Sequence, residues 1–336
     1  MKSLIIFIVA CCATFLSYSQ PSDSTAYFLQ KANADFDARL YLAASKSYDL
    51  VISLDADNFE AYLKNGKAKL EMSKIYEAGQ LFERAYALEP NNEEVIEQLS
   101  TLYFNNRQYQ KALDLVQKCN ACKNTDLLMG MGYYHLEDYG KAIQYLQKAI
   151  EKNSNNAQAF YSLARTALEL EKSAEAIAYL QKAIEIDSTR YNWKYELGLL
   201  FYNAENYKEA LVYFDKAIAA GLQKNNDVLE NYGFAQIYNR NTDAGIATLE
   251  IVNQRKPNNT TLLTNIAYAL YAAAQYDKAI SYYEKVLILN ARDASALYMA
   301  GMSFQKMGQE EKGQKLCDKA IEMDPSLAKN RQKKEG

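Results

Sequence analysis

The chain has 336 residues, 49% of them hydrophobic and 24% charged, with 38 basic side chains against 41 acidic ones and a formal net charge of −3. A balance this even argues against binding nucleic acid through bulk electrostatics. With a single histidine, any catalytic set that needs imidazole rests on His135 alone, and no serine or cysteine at fixed spacing presents itself as its nucleophile.

Met1-Lys2, the apolar run over residues 4–16 and Ser17-Tyr18-Ser19 before Gln20 read as an export signal ending at residue 19, followed by a linker over 20–24. The run is too short for a membrane-spanning helix, which needs roughly 20 apolar residues, so no transmembrane segment is expected in the mature chain. Ile8-Val9-Ala10-Cys11 has the order of a lipobox and keeps lipid anchoring at Cys11 as an alternative. The expected location is therefore periplasmic or cell-surface associated. Three cysteines remain after such a signal, far below the density of a disulfide-built scaffold, so hydrophobic packing must carry stability.

From residue 25 to residue 327 the sequence keeps a beat of 34 residues, in intervals 25–58, 59–92, 93–122, 123–156, 157–190, 191–225, 226–259, 260–293 and 294–327. The eighth place is always small (Ala32, Gly66, Ser100, Gly130, Ala164, Gly198, Gly233, Ala267, Gly301), and so is the twentieth (Ala44, Ala78, Ala112, Ala142, Ala176, Ala210, Gly245, Ala279, Gly313). Such a period means that each unit is one supersecondary element unable to bury its apolar face alone, so stacked neighbours share a continuous core. Within an interval, two apolar blocks at helical spacing flank a short polar break, as in 157–169 and 173–186. Pro90, Pro257 and Pro325 fall just after the second block, where a helix should stop. The small residues mark where helices approach closely, and Phe82, Leu180, Phe214 and Tyr283 at the twenty-fourth place fill the space around them. The third interval is four residues short, which predicts a shortened second helix over 108–119. Beyond residue 327, a basic tail or short capping helix is expected over 328–336.

The pattern resembles the tetratricopeptide repeat family, with small residues at places eight and twenty, aromatics at seventeen and twenty-four, and proline at thirty-two. Residues 277–286 and 140–149 are similar to second helices of that family almost letter for letter. The resemblance implies an all-α, right-handed superhelical solenoid of about nine antiparallel helix pairs. It also implies a concave groove lined by places two, five, nine, twelve and thirteen of the first helices. Carried onto this chain, those places hold Tyr134, His135, Tyr161, Arg165, Tyr195, Tyr202, Phe234, Tyr238, Tyr268, Tyr271 and Tyr298, an aromatic track from the fourth unit to the ninth. The N-terminal units offer a mixed set, including Asn33, Leu63, Lys67, Glu97 and Phe104. Aromatics at such places either pack between neighbouring first helices or form a ligand surface, because tyrosine combines large rigid contact area with a polar tip. A two-carboxylate clamp of the kind some relatives use is not reproduced, since Leu29 stands where a lysine belongs.

Cys119-Asn-Ala-Cys122 is the one motif with reactive potential. It closes a helix in an all-helical array, the reverse of the helix N-terminus that lowers a thiol pKa, so a structural disulfide is the leading reading. Gly130-Met-Gly132 lacks a preceding strand and a third glycine and is read as helix-packing glycine. No metal or cofactor site is expected. The resulting functional reading is a non-enzymatic scaffold of the cell envelope that binds a peptide segment or partner subunit in an aromatic groove. Docking through an end or the convex surface, and thiol-disulfide chemistry at the CxxC, are the alternatives.

Overall fold

The computed structural model describes residues 21–119, 122 and 124–329. The export signal, Cys11 and most of the C-terminal tail lie outside the described residues. Among the described residues there are eighteen α-helices and no strand, and no helix is long and apolar enough to cross a membrane.

The chain divides into two compact units, one ending at Lys152 and the other beginning at Asn153. The first contains α1 (Pro21–Asp37), α2 (Tyr41–Leu54), α3 (Phe59–Glu71), α4 (Ile75–Leu88), α5 (Glu93–Asn105), α6 (Tyr109–Val116), α7 (Thr125–His135) and α8 (Tyr139–Lys152). The second contains α9 (Ala157–Glu169), α10 (Ser173–Ile186), α11 (Tyr191–Asn203), α12 (Tyr207–Ala219), α13 (Asn226–Tyr238), α14 (Thr242–Arg255), α15 (Thr260–Ala272), α16 (Tyr276–Leu289), α17 (Ala294–Lys306) and α18 (Glu310–Met323). In each unit the helices pack as consecutive pairs, and each pair also packs on its sequence neighbour.

Local signals set both ends of the first helices. Side-chain oxygens of Asn58, Asn92, Asn156, Asn225, Asn259 and Asp293, immediately before the helix, accept from backbone amides of its first turn, each worth roughly 1 kcal/mol. At the other end the fifteenth place is left-handed in every interval, from Arg39 (φ 61°) through Ala274 (φ 57°) to Gly308 (φ 78°). The next amide closes back over five residues, as in Gln275 N to Leu270 O at 2.8 Å, which satisfies carbonyls the helix leaves open.

The small places work as steric gaps. A Cβ on Gly198 would stand 2.5 Å from the Phe214 ring, which lies on the eighth place of its own pair. In the seventh interval both small places are glycine, and a Cβ on Gly245 would meet the Gly233 carbonyl oxygen at 2.6 Å. Backbone cannot yield as a side chain does, so these two helices depend on glycine at their crossing.

Two local features differ from what the sequence predicts. Helix α1 starts at Pro21, so residues 21–24, read as linker, belong to it. Helix α6 ends at Val116, three residues before the expected bound. The chain then turns through Lys118 N to Leu115 O and Cys119 N to Val116 O, and Cys119 and Cys122 form a disulfide with Cα atoms 5.6 Å apart. Both half-cystines pack in a cluster with Phe82, Leu99, Leu102 and Leu115. After α18 comes a single 3₁₀ turn, Pro325–Ala328, where Leu327 packs beside Leu297, Tyr298 and Cys317; the expected tail or capping helix lies, from residue 330 on, outside the described residues.

Candidate functional site

The predicted aromatic track resolves into residues with an internal task and residues without one. Places twelve and seventeen form a clasp across the turn between paired helices: Phe36 and Tyr41 have centroids 5.5 Å apart, Phe104 and Tyr109 5.3 Å, Tyr202 and Tyr207 5.5 Å, and Tyr271 and Tyr276 5.4 Å. Tyr134 pairs with Tyr139 in the same way at 6.1 Å. Where place twelve is not aromatic, neither is place seventeen: Leu70 goes with Ile75, Leu168 with Ser173, Ile237 with Thr242 and Gln305 with Glu310 in the sequence. Tyr134, Tyr202 and Tyr271 are therefore turn-packing residues in the first instance. Place thirteen extends the clasp to the preceding pair, with His135 stacked on Tyr109 at 4.4 Å and Tyr238 on Tyr207 at 5.0 Å.

Place five braces successive first helices. The Tyr161 hydroxyl donates to Glu196 Oε1 at 3.1 Å, and its ring stacks on the buried Trp193 at 4.7 Å. Arg165 bonds to Tyr161 and acts on Glu196, whose carboxyl is nevertheless pushed up by burial. One repeat later, Asn231 Nδ2 donates to the Tyr195 hydroxyl at 2.7 Å. Tyr298, at the same place in the ninth interval, is 5% exposed. Phe234 packs against the core cluster of the second unit.

Tyr268 is different. It is 59% exposed, and among the described residues it makes no hydrogen bond and no ring pair. Tyr238, Tyr271 and Tyr283 lie within electrostatic reach of its hydroxyl. Together they make a tyrosine cluster on α13, α15 and α16 of the second unit. Within it Tyr283 is 1% exposed, and its buried hydroxyl has no hydrogen-bond partner among the described residues. An unmade bond of this kind costs about 1–3 kcal/mol, and burial also pushes the phenol pKa up, so the group stays a neutral donor. The sequence reading placed Tyr283 among the core fillers. The signal for more lay in its hydroxyl, which Phe82 and Phe214 at the same place lack.

The first-helix face of the N-terminal unit is polar and self-paired. Asn33 Nδ2 donates to Glu60 Oε1 at 3.1 Å, Lys64 Nζ to Asn33 Oδ1 at 3.0 Å, and Lys67 pairs with Glu94. Charges neutralised by their own neighbours leave little for a partner to gain. A cleft of about 310 Å³ between α5 and α7 beside Cys122 is lined by Glu97, Thr101, Thr125 and Leu128. The disulfide itself is 6% and 9% exposed at its two residues, the reverse of the accessible setting that thiol exchange needs. Among the described residues no group of three His, Cys, Asp or Glu side chains could hold a metal ion.

Stacked helix pairs with small residues at fixed places and left-handed turns at each fifteenth place define a helix-pair solenoid, a class that works by presenting surfaces. Family models described as tetratricopeptide repeat match residues 127–192, 260–292 and 294–327. Over these stretches the chain carries tetratricopeptide repeats, a fold that suggests a protein–protein interaction scaffold. It is similar to the TPR repeat-containing protein YpiA of Bacillus subtilis (strain 168), at 27% identity over 39% of this chain and 35% of that one. It is also similar to RNA polymerase II-associated protein 3 of Homo sapiens, at 26% identity over 38% and 22%. The chain thus spans about a third and a fifth of the lengths of these relatives. The crystal structure of the C-terminal part of a TPR repeat-containing protein from Cytophaga hutchinsonii superimposes with a TM-score of 0.56, at 17% identity, over 70% of this chain and 98% of that one, a likeness of fold alone.

Proposed function

We propose that the protein is a non-enzymatic scaffold of the cell envelope that holds a segment of a partner protein against the tyrosine cluster of its second unit. The observation that carries this reading is Tyr268, a large aromatic presented to solvent while its neighbours are occupied with packing. Fixed on a helix between two others, it offers contact area at low ordering cost, which is what binding hot spots use. The leader over residues 1–19 supports the envelope setting, with anchoring at Cys11 as its variant.

A second surface has a specific observation behind it. Leu42 and Tyr76 occupy the same place on α2 and α4, and they are 60% and 79% exposed. They offer a docking strip on the second helices of the first unit. A photo-reactive amino acid placed at residue 268 and, separately, at residue 76 distinguishes the two. The groove reading expects a discrete cross-linked partner from residue 268 in intact cells. A partner captured from residue 76 alone assigns the work to the other face.

A further inference from the structure

We infer that the buried Tyr283 hydroxyl is a ligand-binding donor, and that its acceptor is the amide carbonyl of an asparagine or glutamine side chain on the bound partner segment. The inference rests on the groove reading above and adds the chemistry of one subsite.

The protein contains its own template for this contact. Tyr48 stands at the same place of the first interval, fully buried, and its hydroxyl donates to Asn33 Oδ1 at 2.7 Å. Asn33 is the ninth residue of that interval, and its amide is held at both ends by Lys64 and Glu60. In the eighth interval the ninth place is Tyr268, while the places corresponding to Glu60 and Lys64 hold Ser295 and Met299. The donor is thus retained, and the amide that serves it in the first interval is missing. A ring that only filled space needs no hydroxyl, as Phe82 and Phe214 show, and buried polar groups in folded proteins are paired in the great majority of cases.

The surroundings select a neutral acceptor. Methionine and serine replace the lysine and glutamate of the template, so a carboxylate brought to Tyr283 finds no cation at those places to offset its desolvation. An amide oxygen accepts the bond without that penalty. Tyr268 is the neighbour with the freedom to uncover the hydroxyl, being exposed and without a hydrogen bond of its own among the described residues.

The test uses the full mature chain and peptides selected on it from a random library, with affinities compared for wild type, Tyr268→Ala and Tyr283→Phe. The best binder should carry an Asn or Gln whose replacement by Leu weakens binding about tenfold. Tyr283→Phe should weaken the parent peptide by the same factor and leave the Leu-substituted peptide unaffected, the signature of one shared bond. Because the variant removes an unpaired buried group, its melting temperature should equal or exceed that of wild type. Binding that depends on Tyr268 but is equal in wild type and Tyr283→Phe overturns the amide subsite alone. Binders that require Glu or Asp instead, or a lowered melting temperature in Tyr283→Phe, overturn it as well. If no selected peptide depends on Tyr268, the groove reading fails and the subsite with it.

Discussion

The Tyr161 hydroxyl donates to Glu196 Oε1 at 3.1 Å, tying the first helix of the fifth interval to that of the sixth. Glu196 accepts this bond and feels Arg165, yet burial outweighs both and holds its carboxyl above the usual glutamate range.

A glutamate whose pKa is raised on folding binds more protons folded than unfolded between its two pKa values, so stability falls as pH rises through that window. Glu196→Gln keeps an acceptor for Tyr161 and removes the buried charge. The variant should unfold at higher denaturant than wild type at pH 7. The difference should close as pH falls to the ordinary glutamate range, where Glu196 is protonated in both states. A gap that persists at pH 4 or reverses at pH 7 contradicts the burial argument.

Ala274 holds φ at +57° in the turn between α15 and α16. A residue with a Cβ is strained there, so Ala274→Gly should stabilise by about 0.5–1 kcal/mol, with Ala178→Gly in the exposed middle of α10 costing about the same. Chemical denaturation of the two variants side by side checks both signs.

The Cys119–Cys122 disulfide closes a short loop where α6 runs out. Reduction should cost about 2 kcal/mol on the chain-entropy argument, and in a repeat array that loss stays with the neighbouring helices. Amide exchange with and without reductant reads this directly: faster exchange in α5 to α7, with α15 and α16 unchanged. Uniform acceleration or none contradicts a local staple.

Much of the fold was legible because packing recurs. The paired blocks 157–169 and 173–186 coincide with α9 and α10, since both small places and the apolar spacing repeat with the beat. The left-handed fifteenth place was not legible, because arginine, serine, glutamate and alanine occupy it in eight of nine intervals, where glycine would have announced it. The candidate site was legible only in part. Membership of the five expected groove places does not by itself distinguish Tyr202 at place twelve, which clasps Tyr207, from Tyr268 at place nine, which makes no ring pair among the described residues. The distinction lies in residues five or more positions away: an aromatic at place seventeen, or an acceptor on the next first helix such as Glu196.

The central claim is that Tyr268 anchors a partner segment, and the most direct measurement is partner affinity for Tyr268→Ala set beside its thermal unfolding. The account predicts a loss of about 1–3 kcal/mol in binding, roughly five- to over a hundredfold in Kd, with melting unchanged because the ring is exposed. Affinity equal to wild type with the fold intact would contradict it.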